Sequence, residues 1–405
     1  MGLQPLQRWS PVLRLPRDQW GSAEGRLPCQ EAQGGGTWVQ LPVQQGVTAV
    51  PLQRCVSKAL DVVDGLPVRG AVQIQPLDQG GWRIGNGLLE ADFGAEGLQQ
   101  LWDRNGTPQL AGPLIWGLFR DRGEFWDAWD LAVDYRQHPL ALNWNGSMEL
   151  VERGPLVARL VLRGWAGSSA LRLDVQLRAD CPWLELRLGV DWRQSHELLR
   201  LEVPLACSAV RWAADTSGGV IERPAEAMTA REKARWEVPV ISWLASESAA
   251  PGGGLAVLLD GPQGVQVCPD RLGVSLLRGS TWPDPSADRG WHRQRLALMP
   301  VPDGWSREAV PQAALAFREP GWLGPSDLKL SWSGLPSLPS KLVPLAVTYA
   351  EVRQLKLSVL NAGATRQSWA VGKTWRVGSA HESCLGEAVE LKPGELAELL
   401  LERVD

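Results

Sequence analysis

Ala170-Leu171-Arg172-Leu173-Asp174-Val175-Gln176-Leu177, followed shortly by Trp183-Leu184-Glu185-Leu186-Arg187-Leu188-Gly189-Val190-Asp191-Trp192, alternates apolar and polar residues with hardly a break. Successive side chains of an extended chain point to opposite faces, so both runs read as strands with one buried and one wet face. The flanks repeat the pattern. Met148 to Val151, Val157 to Leu162 and Leu198 to Val203 have strand length and are spaced by turns. Upstream, Val72, Ile74, Trp82 to Ile84, Leu88 to Phe93 and Leu98 to Trp102 alternate in the same way, and Asn105-Gly106 supplies the positive φ angles of a tight turn. Downstream, Trp236 to Trp243, Gly254 to Leu259, Gly264 to Cys268, Gly273 to Leu277 and Gln294 to Met299 read as further strands. Pro224 to Ala234 is the one stretch that reads as a short helix or an ordered loop.

The expected class is therefore all-β, built from antiparallel sandwiches. Four segments are expected: a small β module and linker over 1–69, a large central sandwich over 70–302, a connection with edge structure over 303–345, and a small terminal sandwich over 346–405. The third boundary comes from Pro325, Pro336, Pro339 and Pro344, which cannot donate to a central ladder. No repeat of solenoid or propeller length recurs.

At 405 residues the chain is long enough for two or three packed units. Hydrophobic residues at 44% and charged residues at 21% are those of an ordinary globule, which argues against disorder. A net charge of −4, without any basic run, leaves no electrostatic footprint for nucleic acid or an anionic membrane. No apolar run approaches membrane-spanning length, and no apolar leader follows Met1. The six cysteines are widely dispersed, without a Cys-x-x-Cys pair, and read as free thiols of a cytoplasmic protein.

One segment fits no period. Phe125-Trp126-Asp127-Ala128-Trp129-Asp130-Leu131, with Asp134 and Tyr135 beyond it, has neither a helical stripe nor a strand alternation and reads as a loop. Indole faces beside carboxylates suit a pyranose, whose C–H faces stack on rings while its hydroxyls donate to acids. The same tryptophans could equally plug a neighbouring core, since the chain has 22 of them against two tyrosines. Ala287-Asp288-Arg289-Gly290 with His292 is a second loop whose acid and base could orient a hydroxyl or simply pair with each other. Asp127 and Asp130 are poor candidates for a self-sufficient acid and base pair, because nothing in the sequence supplies the burial that would raise one pKa.

Read in order, these segments resemble the C-terminal β region of the family-38 glycoside hydrolases, the α-mannosidases, and within them the cytosolic or vacuolar type. The words that carry the resemblance are Asn86-Gly87-Leu88-Leu89, Asp121-Arg122-Gly123-Glu124 leading to the Trp126 loop, Glu152-Arg153-Gly154-Pro155-Leu156, and Asp191-Trp192 with His196 and Leu199-Arg200. Lys233-Ala234-Arg235-Trp236-Glu237-Val238-Pro239, Leu276-Leu277-Arg278, Ala287-Asp288-Arg289-Gly290-Trp291-His292 and Leu298-Met299-Pro300 continue it. Where the family often has Pro-His, this chain has Pro300-Val301.

The resemblance implies a galactose-mutarotase-like large sandwich with smaller flanking sandwiches. It implies α-mannoside oligosaccharides as substrates, and Trp126, Asp127, Trp129, Asp130, Tyr135, Asp288 and Arg289 as substrate-binding rim residues. The family binds zinc through His-x-Asp and His-His-Asp motifs on a catalytic barrel, and neither motif occurs here. The chain is accordingly expected to carry no cofactor and no catalytic residue, to be inactive alone, and to work with a zinc-bearing barrel encoded upstream or on a separate chain. Two alternatives stand beside that reading: a stand-alone mannoside-binding sandwich without hydrolase activity, and a scaffold whose barrel-facing apolar surface binds another partner.

Overall fold

The computed structural model describes residues 2–4, 9–22, 25–43, 46–48, 50–55, 66–123, 127–146, 148–318, 336, 338–339, 341–351, 353–381 and 385–404. Two antiparallel sheets carry the fold. The larger one has ten strands, ordered Leu142–Trp144, Val157–Ala166, Ser169–Arg178, Leu184–Trp192, Gly290–Pro300, Leu255–Leu259, Trp243–Ser248, Ala209–Thr216 and Gly219–Pro224, with Glu149–Arg153 also paired to Val157–Ala166. The smaller has six, ordered Pro139–Leu140, Ile115–Arg120, Glu197–Pro204, Arg271–Leu277, Gln263–Cys268 and Val238–Val240. A four-stranded meander, Gln73–Pro76, Trp82–Gly85, Leu89–Gly94 and Gly97–Asp103, adds its own buried face to the core between the sheets.

The alternation read from the sequence is what builds this core. Leu171, Leu173, Val175 and Leu177 face inward on one strand, Leu184, Leu186, Leu188 and Val190 on the next, and they meet Leu199, Leu201 and Val203 of the smaller sheet. Each fully buried side chain of this size contributes about 1.5–3 kcal/mol relative to exposure. The chain does turn here, the Gly106 N–H donating to the Asp103 carbonyl at 3.0 Å, but Arg104 and Asn105 are the central residues and only Gly106 takes a positive φ, +78°, rather than both members of the expected Asn-Gly pair.

The outward residues of the same strands form a charged grid. Glu185, almost fully buried, accepts from Arg178 at 3.1 Å, Arg187 at 2.7 Å and Arg295 at 3.1 Å. Burial pushes its carboxyl up, but the three guanidiniums outweigh burial and bring it down from 4.5 to about 2. A lowered carboxyl stabilises the fold above its unfolded pKa and loses that contribution as pH falls through the folded one. That lowering, at about 1.4 kcal/mol per pH unit, amounts to about 3–4 kcal/mol. Stability should thus fall by about this much between about pH 5 and pH 2. In chemical denaturation across that range, Glu185→Gln should flatten the acid limb; an unchanged limb would refute the assignment.

Elsewhere the outer face of the larger sheet carries small residues, Ala213, Ala245, Ala256 and Ala297, covered by a helix over Val310–Arg318. That helix lies in the segment expected to be connection. Val310, Ala313, Ala314 and Phe317 form its buried stripe at i, i+3, i+4 and i+7, a period the sequence displays, and Pro311 sits in the first turn, where no intrahelical partner is needed for its missing N–H. The stretch Pro224 to Ala234, expected as a short helix or ordered loop, is loop as far as Thr229 and then one helical turn, Ala230–Lys233, capped by Thr229 and Glu232 in a capping box.

Two smaller modules flank the sandwich. At the N-terminal end, Val12–Leu15, Thr37–Gln40 and Cys29–Glu31 form a sheet whose Val12, Ala32 and Trp38 join the main core. Gln30 imitates a strand there, its amide accepting from the Leu156 and Val157 N–H groups at 2.8 and 2.9 Å and donating to the Val157 carbonyl at 3.1 Å. At the C-terminal end, Leu342–Glu351, Gln354–Asn361, Leu396–Arg403 and Trp375–Ser379 form one sheet, Gln367–Ala370 and Ala388–Leu391 another, around a separate core of Leu357, Val359, Trp369, Trp375 and Leu399.

Candidate functional site

Three strand ends of the smaller sheet meet at one edge of the sandwich: Ile115–Arg120 runs out into Asp121, Glu197–Pro204 begins after His196, and Arg271–Leu277 continues into Arg278. Backbone bonds lock the three together, from the Asp121 N–H to the His196 carbonyl at 2.8 Å and from the His196 N–H to the Gly279 carbonyl at 2.9 Å. Two loops spring from this edge, described over residues 121–123 with 127–138 and over 278–289; the first reaches the second through a carboxylate and the second reaches the first through a guanidinium.

Asp127 makes the principal crossing. Its Oδ2 accepts from the backbone N–H groups of Thr281 at 2.7 Å and Trp282 at 3.1 Å, and its carbonyl accepts from Arg278. Arg278 also donates through Nε to Asp121, whose other oxygen holds the Ala132 N–H at 2.8 Å. Asp288 serves its own loop, accepting from the Arg278 and Gly279 N–H groups at 3.0 and 2.9 Å, at a φ of +62°. Burial raises the Asp127 carboxyl, but the two amide donors, followed by His196 and Arg278, hold it below the usual carboxylate range. It stays ionised at neutral pH and can accept hydrogen bonds; it is not poised to donate a proton.

The crossing brings two indoles together. Trp129 and Trp282 are both exposed, at 66% and 53%, and lie edge to face with centroids 5.4 Å apart. Beneath them is a polar corner. Asp127 Oδ1, His196 Nδ1 and Arg278 Nη2 are each buried without a hydrogen-bond partner, with Oδ1 lying 3.5 Å from Nδ1 and 4.0 Å from Nη2. Those separations exceed direct hydrogen bonds, so the three groups interact through charge alone. His196 Nε2 is meanwhile 3.0 Å from the Thr281 hydroxyl.

The residues singled out in the sequence therefore separate into groups. Trp129 and Asp130 are exposed on the first loop, and Asp127 ties it to the second. Arg289 is exposed on the second loop. Tyr135 does not join them: it is 2% exposed, packed edge to face on Phe119 at 5.4 Å with the Arg136 and Arg200 guanidiniums over its ring, and burial raises its hydroxyl pKa. Trp126 lies outside the described residues. Asp121, His196, Arg278 and Trp282 were not foreseen as site residues, although Asp121, His196 and Arg278 stand inside the family words quoted above. Trp282 had no such signal; only the fold brings it to Trp129.

The four histidines stay apart, and among the described residues no three His, Cys, Asp or Glu side chains converge on a point that could hold a metal ion. This donor set does not fit zinc. Among the same residues no helix is long and apolar enough to cross a membrane.

Comparison with known proteins gives a consistent set of likenesses. Residues 84–286 match the glycosyl hydrolases family 38 C-terminal domain. Over 207 residues the chain is 31% identical to alpha-mannosidase 2C1 of Homo sapiens, a match covering 50% of this chain and 20% of the human protein. Over 222 residues it is 28% identical to alpha-mannosidase G of Dictyostelium discoideum, covering 53% of this chain and 20% of that one. In fold, an alpha-mannosidase from Enterococcus faecalis V583 superimposes with a TM-score of 0.65 at 13% identity, covering 100% of this chain and 55% of the bacterial one. The matched segment thus spans about a fifth of the curated relatives' own length.

Proposed function

Because the chain belongs to glycosyl hydrolase family 38, through that family's C-terminal domain, we propose that it is the non-catalytic C-terminal part of an α-mannosidase and supplies the rim of its sugar site. The enzyme would remove terminal α-D-mannose residues from oligosaccharides. The carrying observation is the exposed edge-to-face pair of Trp129 and Trp282, brought together where Asp127 crosses to the second loop. A pyranose would lay its C–H face on the indoles.

Retaining hydrolysis needs a nucleophilic carboxylate and an acid about 5 Å apart. We assign both groups, and the zinc, to a catalytic barrel outside this sequence, since an ionised Asp127 is no acid, its Oδ2 is already engaged by two backbone amides, and the described residues do not fit the metal. We place the chain in the cytoplasm, where its five described free cysteines would remain thiols. Purified chain given an aryl α-mannoside and zinc should show no turnover; robust turnover would overturn the non-catalytic assignment.

A second reading has the same platform binding mannosides without any partner. Calorimetry separates it from the first: a stand-alone binder takes up short mannosides and loses them in Trp129→Ala, whereas a rim alone gives no heat.

A further inference from the structure

Four neighbouring strands of the larger sheet set one row of side chains across its outer face. The pairings run from Trp165 to Ala170, from Ala170 to Asp191 and from Asp191 to Trp291, and Asn143 extends the row by one strand opposite Trp165. Paired residues leave a sheet on the same side. The side here is the outer one, because Ala166, Leu171, Val190 and Leu296, at the alternate positions of the same strands, lie in the core.

Trp165 and Trp291 are both exposed on this face, at 48% and 74%. Three steps between strands separate them, about 14 Å at about 4.8 Å a step. The floor between them is low. Ala170 stands next to Trp165, and Gly189, two residues from Asp191 on the same face, offers no side chain at all. A Cβ there would come 3.7 Å from Cζ3 of Trp291, so the benzenoid end of that indole reaches over the glycine.

Reachable polar groups stand within the row and beside it. Asp191 takes both of its bonds from Arg193 on Oδ2, at 2.9 and 2.6 Å; its Oδ1 has no partner among the described residues and is open to solvent, the side chain being 22% exposed. The Asn143 amide and the Arg293 guanidinium, opposite Gly189, are exposed and likewise unpaired among the described residues. Arg163 and Arg172, two residues along from Trp165 and Ala170, bind Glu149 and Asp174.

This mixture selects the occupant. A protein surface packed onto the row would strip water from all of these charges, whereas sugar hydroxyls replace that water bond for bond and the C–H faces of the rings cover the indoles. Apart from Arg293, each arginine named here has its own acid on the face, which favours a neutral ligand over an anionic one.

We propose that this face binds a neutral oligosaccharide laid across the strands, with one sugar on Trp165, another on Trp291, and hydroxyls between them on Asp191 and Arg293. A monosaccharide cannot touch both rings across about 14 Å. The surface is distinct from the Trp129 and Trp282 pair, and its reading does not rest on the proposed function.

Calorimetry of the intact chain with α-linked mannotetraose, maltotetraose, cellotetraose and mannose tests it. At least one tetraose should bind, with mannose weaker by about tenfold or more, and the preferred tetraose identifies the linkage. Trp165→Ala and Trp291→Ala remove exposed rings, so each should keep the parent Tm and lose about tenfold in affinity. The proposal is overturned if no tetraose binds at about 10 mM, if mannose binds as tightly, or if either variant binds like the parent chain. Loss of binding in Trp129→Ala instead would put the sugar on the other platform and overturn it too. So would light scattering that shows a dimer of the parent chain which both sheet variants return to monomer, since the face would then be an interface between copies.

Discussion

Replacing Arg200 by Ala should lower the unfolding free energy by about 3–5 kcal/mol, the cost of taking one partner from a buried ion network. Arg200 is 0% exposed, its Nε donating to Glu202 at 2.6 Å and its Nη1 to the Ser275 hydroxyl at 2.6 Å and to Glu237. Without the guanidinium, Glu202 keeps Arg136 at 2.9 Å, but Glu237 is left, 11% exposed, with only the Ser275 hydroxyl. Burial of a carboxylate without a counter-charge dominates the loss, so adding Glu237→Gln to Arg200→Met should restore part of it. Gly273 completes the arrangement, because a Cβ at that position would fall on the Arg200 guanidinium. Urea denaturation of the single and double variants checks the scheme; a single-variant loss below about 1 kcal/mol would contradict it.

The second large effect is expected at Asp121. Its carboxylate is fully buried and holds Arg278 on one oxygen and the Ala132 N–H on the other, so both loops of the candidate site hang from it. Asp121→Ala should cost about 3–5 kcal/mol by leaving the Arg278 guanidinium without this carboxylate. The local consequence is more specific than the global one. Hydrogen exchange should accelerate at Ala132, and then at Thr281 and Trp282, whose amides are bound by Asp127 of the loop that Asp121 anchors. Asp121→Asn keeps an acceptor for Ala132 and should be milder at that amide. Unchanged exchange at all three amides in Asp121→Ala would show that the loops hold together without it.

Much of the fold was legible because alternation is a local property. Ala170 to Trp192 declared two adjacent strands, and the structure pairs them as Ser169–Arg178 and Leu184–Trp192 with Leu171, Leu173, Leu186 and Leu188 inward. The Val310–Arg318 helix was also written in the chain, as an i, i+3, i+4, i+7 stripe, but it falls in the 303–345 segment that Pro325, Pro336, Pro339 and Pro344 mark as connection. At Pro224 to Ala234, both parts of the sequence reading appear, a loop and then the helical turn Ala230–Lys233 that begins at the Thr229 cap.

The candidate site was legible only in its residue types. Trp129, Asp127 and Asp130 stood out as a loop of rings and acids, but nothing local distinguishes an exposed ring from a buried one. Tyr135, a few residues on, turned inward beneath Arg200.

The sequence by itself determined the all-β class, the inward and outward faces of each central strand and the family likeness, because these depend on period and on short words along one chain. Only the tertiary structure decided that Trp282 meets Trp129, that Asp121 and Asp127 grip Arg278, and that Trp165 and Trp291 stand in one row of the larger sheet. Each of these joins residues more than a hundred positions apart, and what sets such distances is the packing of sheets and loops rather than any pattern a local stretch contains.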